Sequence, residues 1–195
     1  MTRVYFIRHA QSDFRSGSDR ERPLTAEGME DRKIVLDFLR DKAVDVFWCS
    51  PYQRSMDTIR AAAEFFGLPI RTDERLRERE AGHEGNTREL IRRRWADFDW
   101  HEPEGECLRD VQRRNVAALT DILGQNRDKT VVIGTHGTAL STILNYYDPG
   151  WNGDEFWRII DWMPFVVELD FEGTRYLKRT EHIHIEKIYK PREAV

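Results

Sequence analysis

The sequence predicts an α/β protein in which a mostly parallel, mixed sheet lies between helices. Strand–turn–helix units recur early and in the middle of the chain, and a hairpin pattern follows near its end. The 195 residues suffice for one sizeable core, and no Gly-, Pro- or Ser-rich stretch is long enough to separate two domains. We therefore expect a single domain over residues 1–195.

The first strand–helix unit joins a strand over residues 3–8 (RVYFIR) to a helix that follows a polar loop. The helix begins in LTAEG, where Thr25 can accept a backbone hydrogen bond as the N-cap. Its apolar residues recur at helical spacing, and they are Ile34, Val35, Phe38 and Leu39. This spacing predicts a helix with one apolar face.

The second unit begins with residues 44–49 (VDVFWC), which are β-branched and aromatic and therefore predict a strand. Residues 50–53 (SPYQ) are typical of a helix start, because Ser50 can cap the helix and Gln53 can complete a capping box. Gly67 is expected to end this helix.

The most irregular stretch follows a short predicted strand over residues 68–71. Residues 72–105 are rich in charge, and we expect them to form a partly helical insertion that caps the site. Trp95 and Trp100 would pack this insertion against the rest of the protein. We interpret the arginines at 92–94 as solvated helix positions, with a grip on an anionic substrate tail as the alternative.

The second half of the chain returns to regular elements. The pattern predicts a helix over about residues 106–123, a strand over 130–134, a helix in TALSTILNYY, and strands over 165–171, 175–179 and 182–189. The last of these alternates polar and apolar residues, so we expect an edge strand with one solvated face that carries His182 and His184. A solvated face is favoured over a metal site because no third ligand follows nearby.

Composition excludes several functional classes. The 31 Lys and Arg residues nearly balance 35 Asp and Glu residues, and the net charge of −4 gives no global attraction to nucleic acid or anionic membranes. The apolar runs are too short to span a bilayer, and the first ten residues lack a signal-peptide core. Cys49 and Cys107 form no zinc-binding spacing. We therefore expect a cytoplasmic protein with free thiols.

Cations and histidines follow three of the predicted strands. Arg8 and His9 end the first strand, Arg54 lies in the first turn of the helix after the second, and His136 with Gly137 follows the strand at 130–134. Ligands of parallel sheets bind at the carboxyl ends of strands, and a helix N-terminus near Arg54 would also favour an anion. If these ends adjoin, the sequence predicts a pocket for a phosphoryl group.

The chemistry of such a pocket is phosphoryl transfer. A neutral imidazole can attack phosphorus and carry the group as phosphohistidine, while the arginines stabilise charge on the oxygens. The leaving oxygen needs a proton. Glu78, Glu80 and Glu84 in LREREAGHEG are all candidates for the donor, and their spacing does not choose among them.

These segments resemble those of the histidine phosphatase superfamily, which includes cofactor-dependent phosphoglycerate mutases and many phosphomonoesterases. The matching segments are FIRHAQS, PLTAEG, CSPYQRSMDT, LREREAGHEG, PEGECLRDVQRR and VVIGTHGT. They occur in the family's order and cover most of residues 3–140. The resemblance implies a phosphoglycerate mutase-like fold.

The resemblance also implies roles for individual residues. His9 would be the nucleophile, and Arg8, Arg54 and His136 would bind the phosphoryl group. Glu78 falls where the family has its acid and would be the proton donor. No metal and no cofactor are implied, because the arginines supply the neutralising charge.

Two departures from the family favour a phosphatase over a mutase. Ala10 stands where the family most often has glycine, and Thr138 stands where the mutases commonly have asparagine. Gln11 and Ser12 differ from the mutase pattern as well, and we expect both of them, with Gly137, to contact the substrate.

The sequence thus predicts a metal-independent phosphomonoesterase of the histidine acid phosphatase type. Its partner would be a small phosphorylated metabolite, with no nucleic acid and no membrane, and a homodimer is compatible with the sequence. The alternatives are a cofactor-dependent phosphoglycerate mutase and a non-catalytic protein that binds phosphorylated ligands on the same fold.

Overall fold

Six strands form a single sheet in the computed structural model, which describes residues 1–187. The strands are β1 (Thr2–Arg8), β2 (Val46–Cys49), β3 (Ile70–Thr72), β4 (Thr130–Thr135), β5 (Trp162–Glu172) and β6 (Arg175–Glu186). The helices are α1 (Ala26–Leu39), α2 (Gln53–Phe66), α3 (Arg88–Ala96), α4 (Leu108–Gln125), α5 (Gly137–Tyr147) and α6 (Gly153–Arg158).

The strand order is β3-β2-β4-β1-β5-β6. The pairs from β3 to β1 are parallel, whereas β5 pairs antiparallel with both β1 and β6. This topology confirms the predicted fold class of a mostly parallel, mixed sheet with helices. It also brings the carboxyl ends of β1, β2 and β4 to the same edge of the sheet.

Helices cover both faces of the sheet because side chains alternate along its strands. In β1, Val4 and Phe6 face a core that includes α4 and α5, whereas Tyr5 and Ile7 face a core that includes α1 and α2. All four side chains are buried. No helix within residues 1–187 is long and apolar enough to cross a membrane.

The helix boundaries confirm some of the predicted caps and contradict one. Thr25 caps α1 by accepting a hydrogen bond from the backbone of Gly28, and Gly67 ends α2 in the left-handed conformation with a φ of 64°. The prediction that Ser50 caps α2 was wrong. The helix begins at Gln53 without a side-chain cap. The Ser50 hydroxyl accepts a hydrogen bond from the Tyr52 backbone N–H at 3.3 Å, just ahead of the helix, and also lies 2.7 Å from Nε2 of His136.

The predicted apolar face of α1 is only partly right. Val35 and Leu39 are buried against the sheet, but 39% of Ile34 is exposed. Ile34 is adjacent to Val35 in the sequence and therefore projects from a different side of the helix, which faces solvent.

The C-terminal strands differ from the prediction. Residues 175–179 and 182–186 belong to one continuous strand, β6, of 12 residues, and the last two residues of the predicted strand at 182–189 lie outside the described residues. The register with β5 shifts between Val166 and Val167, which leaves His182 as an extra residue.

This bulge separates the two histidines that were expected on one solvated face. The His182 ring packs beside Tyr5 and Phe38, whereas His184 stacks on Trp162 with ring centroids 3.7 Å apart. The expectation of a shared face was therefore wrong.

Residues 72–105 contain a short 3-10 helix (Glu74–Leu76) and α3, so they are partly helical as predicted. Arg92 and Arg93 are exposed, and the Arg93 guanidinium lies 4.1 Å from the centre of the Trp100 ring. Arg94, however, is only 2% exposed, so its interpretation as a solvated position was wrong. Trp95 packs against Phe98 and Phe156.

Gly134 occupies a crowded position in the middle of the sheet. A Cβ atom there would lie 2.5 Å from Sγ of Cys49. We expect Gly134→Ala to lower the free energy of unfolding by about 1–3 kcal/mol, because the extra methyl group overpacks the core. Urea denaturation measures this change. Cys49→Ala removes the nearest atom, so the penalty should shrink in that background, and equal penalties in both backgrounds would contradict the crowding.

Candidate active site

The candidate site lies where β1, β4 and β2 end side by side. Arg8 is the last residue of β1 and pairs with Thr135, and the His9 backbone N–H donates to the Thr135 carbonyl at 3.1 Å. The Ser50 N–H, just beyond β2, donates to the Gly134 carbonyl at 3.0 Å. Parallel pairing therefore brings the predicted strand-end residues together.

A cavity of about 910 Å³ opens above these strand ends. Its floor and walls include several predicted site residues, namely Arg8, His9, Arg54, Glu78 and Gly137. The cap stretch contributes Arg79, Asn86, Ile91, Arg94 and Trp95. The cavity therefore joins the sheet edge to the insertion at 72–105.

His9 is held in a single tautomer. Its Nδ1 lies 2.7 Å from the Ala10 carbonyl, and because a carbonyl only accepts hydrogen bonds, Nδ1 carries the proton. Nε2 is then left with its lone pair. Burial, followed by the positive charges of Arg54 and Arg8, holds the pKa of His9 well below its usual value. The imidazole is therefore neutral at neutral pH.

His136 lies beside His9 and is completely buried. The centroids of the two rings are 5.4 Å apart, and Nε2 of His136 is 2.7 Å from the Ser50 hydroxyl. Burial, with the charge of Arg54 and the neighbouring His9, lowers the pKa of His136 well below its usual value. The sequence predicted that His136 lies in the pocket. The structure places its ring beside that of His9, and His136 is not among the residues that line the cavity.

Arg8 and Arg54 supply fixed positive charge to the cavity. Arg8 donates to the carbonyls of Ile159 and Ile160, which hold its guanidinium beside Gly137. Arg54 is 1% exposed, and its Nε has no hydrogen-bond partner among residues 1–187. A buried guanidinium with an unused donor favours an anionic ligand.

Asp19 and Arg22 are site residues that the sequence analysis missed. Arg22 lines the cavity and forms an ion pair with Asp19, and the Asp19 carboxylate also lies 3.4 Å from the Arg54 guanidinium. The Arg54 guanidinium also donates to the Asp19 carbonyl. The one available signal was the position of Arg22 just before the PLTAEG segment. An acidic side chain thus lies between two cavity arginines.

Glu78 is fixed at the N-terminus of α5. Its carboxylate accepts hydrogen bonds from the backbone N–H groups of Thr138 at 3.0 Å and Ala139 at 2.9 Å. A third comes from the N–H of the next residue, at 2.8 Å. Glu80 and Glu84 also line the cavity, but both are exposed at its rim. Of the three candidate carboxylates, Glu78 is the one held against the strand ends.

The N-terminus of α2 was expected to favour an anion, but a backbone carbonyl accepts from its first N–H group. Its first backbone N–H, that of Gln53, donates to the Arg20 carbonyl at 3.0 Å. The predicted anion site therefore depends on the Arg54 side chain and not on this N–H group.

Gln11 and Ser12 do not line the cavity, so the expectation that they contact substrate does not match their placement. The Gln11 side chain accepts a hydrogen bond from the Thr25 hydroxyl at 2.9 Å, and Ser12 is buried in a bridge with Leu24. The chain turns away from the cavity after Ala10 to hold the start of α1.

Two buried arginines that line the cavity share one buried glutamate. Arg79 and Arg94 both donate to the Glu102 carboxylate, at 2.7 and 2.8 Å. Burial raises the pKa of Glu102, but these hydrogen bonds outweigh it and bring the pKa to about 2. This pairing explains why Arg94 is buried and not solvated.

The fold and this site define a phosphoryl-transfer class of protein, and comparisons with known proteins give the family. Residues 4–180 match the model of the histidine phosphatase superfamily (branch 1). The chain belongs to this superfamily, as the sequence segments indicated.

Individual relatives carry different names. The chain is 27% identical over 162 residues to a protein of Enterobacter sp. (strain 638) named "Probable phosphoglycerate mutase", covering 74% of each chain. It is 26% identical over 155 residues to an "Uncharacterized phosphatase" of Bacillus subtilis (strain 168), covering 77% of this chain and 79% of the other.

Among solved structures, YhfR of Bacillus stearothermophilus matches with a TM-score of 0.75 and 25% identity, covering 91% of this chain and 95% of that one. A mycobacterial glucosyl-3-phosphoglycerate phosphatase matches with a TM-score of 0.72 and 21% identity, covering 93% and 97% of the two chains, and shows the shared fold.

Neutral, buried His9 and His136 should make stability depend on pH. Their pKa values are lower in the folded protein than in the unfolded chain, so below about pH 6.5 the unfolded chain binds more protons. The free energy of unfolding should therefore fall on acidification, by at most about 1.4 kcal/mol per pH unit for each histidine.

Urea denaturation between about pH 7.5 and 5.5 measures this slope. His9→Asn should reduce the slope, because it removes one of the two buried imidazoles. A slope that His9→Asn leaves unchanged would contradict a neutral, buried His9.

Proposed function

We propose that this protein hydrolyses phosphomonoesters through a phosphohistidine formed on His9. The observation that carries the proposal is the state of His9: its Nδ1 is bound to the Ala10 carbonyl, its imidazole is neutral, and it lines a cavity beside two buried arginines. A neutral imidazole with a free Nε2 lone pair is a nucleophile, and the arginines favour an anionic target.

The first step transfers the phosphoryl group to His9. Nε2 attacks phosphorus, the bond from phosphorus to the leaving oxygen breaks, and Glu78 gives that oxygen a proton. Arg8 and Arg54 neutralise charge on the equatorial oxygens as the group moves. Gly137 lets the Arg8 guanidinium lie close to the main chain, because a Cβ atom at this position would lie 3.1 Å from the guanidinium.

The second step regenerates the enzyme. A water molecule attacks the phosphorus of the phosphohistidine, Glu78 takes the proton of that water, and the P–N bond breaks to release orthophosphate. His9 returns to its neutral form with Nδ1 still bound to the Ala10 carbonyl. His136, whose ring lies beside that of His9, helps to hold the phosphoryl oxygens, and neither step calls for a metal or a cofactor.

A small phosphorylated metabolite is the substrate class that we propose. The Bacillus subtilis relative is named a phosphatase, and the mycobacterial neighbour is named for a phosphorylated sugar acid, which support this class. The single domain, the cytoplasmic location and the homodimer stay predictions of the sequence.

A phosphoglycerate mutase is the second candidate, because the Enterobacter relative carries that name. A mutase would share the His9 chemistry but return the phosphoryl group to the substrate instead of to water. Ala10 and Thr138 depart from the mutase pattern, and this difference favours hydrolysis.

His9→Ala should reduce hydrolysis of 4-nitrophenyl phosphate to background, because it removes the attacking nitrogen. His184→Ala, on the edge strand β6, is the matched control and should retain activity. Circular dichroism checks that both variants fold. Activity should also persist in EDTA, and an active His9→Ala protein or a strict metal requirement would contradict the mechanism.

A product assay separates hydrolysis from mutase activity. With 3-phosphoglycerate, we expect the protein to release orthophosphate or to leave the compound unchanged, with or without added bisphosphoglycerate. Formation of 2-phosphoglycerate that depends on the bisphosphate would identify a mutase. Orthophosphate binding without hydrolysis of any ester in a substrate panel would instead indicate a non-catalytic binding protein.

A further inference from the structure

We propose that Arg114 is a positioning residue that sets the location of Glu78 and so controls protonation of the leaving group. This inference rests on the proposed role of Glu78 as proton donor. Arg114 belongs to α4, its side chain is 12% exposed, and it is not among the residues that line the cavity. It therefore acts through the segment that carries Glu78 and not on the substrate.

The Arg114 guanidinium holds three carbonyl groups of that segment. Nη1 donates to the carbonyls of Arg75 at 2.8 Å and Arg77 at 2.7 Å, and Nη2 donates to the carbonyl of Glu78 itself at 3.0 Å. This stretch is a 3-10 turn followed by extended backbone, without strand partners of its own. One side chain thus replaces the hydrogen bonds that regular structure would supply.

Glu106 completes the attachment from the same end of α4. Its carboxylate accepts two hydrogen bonds from Arg114, at 2.9 and 2.8 Å, in the forked geometry typical of arginine. It also accepts from the Arg77 guanidinium and from the backbone N–H of Glu80, both at 2.9 Å. The backbone is therefore fixed on both sides of Glu78.

A second set of hydrogen bonds holds the Glu78 carboxylate itself. The N-terminus of α5 binds the carboxylate oxygens, and Arg114 binds the main chain from the opposite direction. Together they determine the distance between the acid and the strand ends. An error of about 1 Å in the position of a reacting group can cost about 100-fold in rate.

The leaving group distinguishes a positioning role from simple support of the fold. A 4-nitrophenolate ion leaves without a proton, whereas the alkoxide of an alkyl phosphate needs one. Loss of the proton donor should therefore reduce kcat/KM for an alkyl phosphate far more than for 4-nitrophenyl phosphate. The ratio of the two values does not depend on the fraction of protein that is folded.

The experiment uses glycerol phosphate as the alkyl ester. It measures the ratio of kcat/KM for glycerol phosphate to kcat/KM for 4-nitrophenyl phosphate in four variants. Glu78→Gln is the reference and should lower the ratio by about 100-fold or more, as expected for loss of general acid catalysis. Arg114→Leu should lower it at least about tenfold and Arg114→Lys less, because lysine keeps the charge but not the fork. Arg113→Leu is the control and should not change it, since the Arg113 side chain is 75% exposed.

The outcomes separate this inference from the proposed function. An unchanged ratio in Glu78→Gln would overturn the role of Glu78 as proton donor, and the role of Arg114 with it. A lower ratio in Glu78→Gln with equal losses for both esters in Arg114→Leu and Arg114→Lys would overturn the positioning role alone. If Arg114→Leu gives too little active protein, Arg114→Lys decides the question.

Discussion

The parallel pairing of β4 with β1 on one side and β2 on the other is the constraint on which the site depends. The register pairs Arg8 with Thr135 and Cys49 with Gly134. The three strands therefore end side by side at one edge of the sheet. The unbroken apolar residues of β4 bury both faces of the strand and fix that register. Because Gly134 has no side chain, Sγ of Cys49 can lie close to the β4 main chain immediately before the site.

The charges that gather at this edge are buried, and the fold compensates each of them. An unpaired buried charge costs several kcal/mol, so guanidinium groups need oxygen partners. Arg8 finds two carbonyls, Arg54 finds Asp19, and the cap arginines share Glu102. These partners compensate the positive charge of the buried arginines.

The sequence predicted the sheet and most of the strand-end residues because both depend on local patterns. Arg8, His9 and Arg54 are adjacent to apolar strands, and the fold class follows from the order of the units. Glu78 could be chosen only by family resemblance, since its selection depends on the start of α5, about sixty residues later in the chain. Ser50 looked like the cap of α2, but the helix begins three residues later, at Gln53. Arg94 looked like a solvated residue because its partners Asn86 and Glu102 lie in the irregular stretch, where sequence patterns do not predict contacts.

Backbone N–H groups at the starts of two helices already have hydrogen-bond partners within the chain, and this affects how a site of this kind can change during evolution. Glu78 uses the Thr138 and Ala139 N–H groups of α5, and the Arg20 carbonyl uses the first N–H of α2. These N–H groups are therefore not open to an anion, whereas the arginine side chains that line the cavity are carried by separate segments. Each segment can exchange one side chain without rebuilding the main chain. Selectivity can thus change in small evolutionary steps while the arrangement of residues at the strand ends is retained.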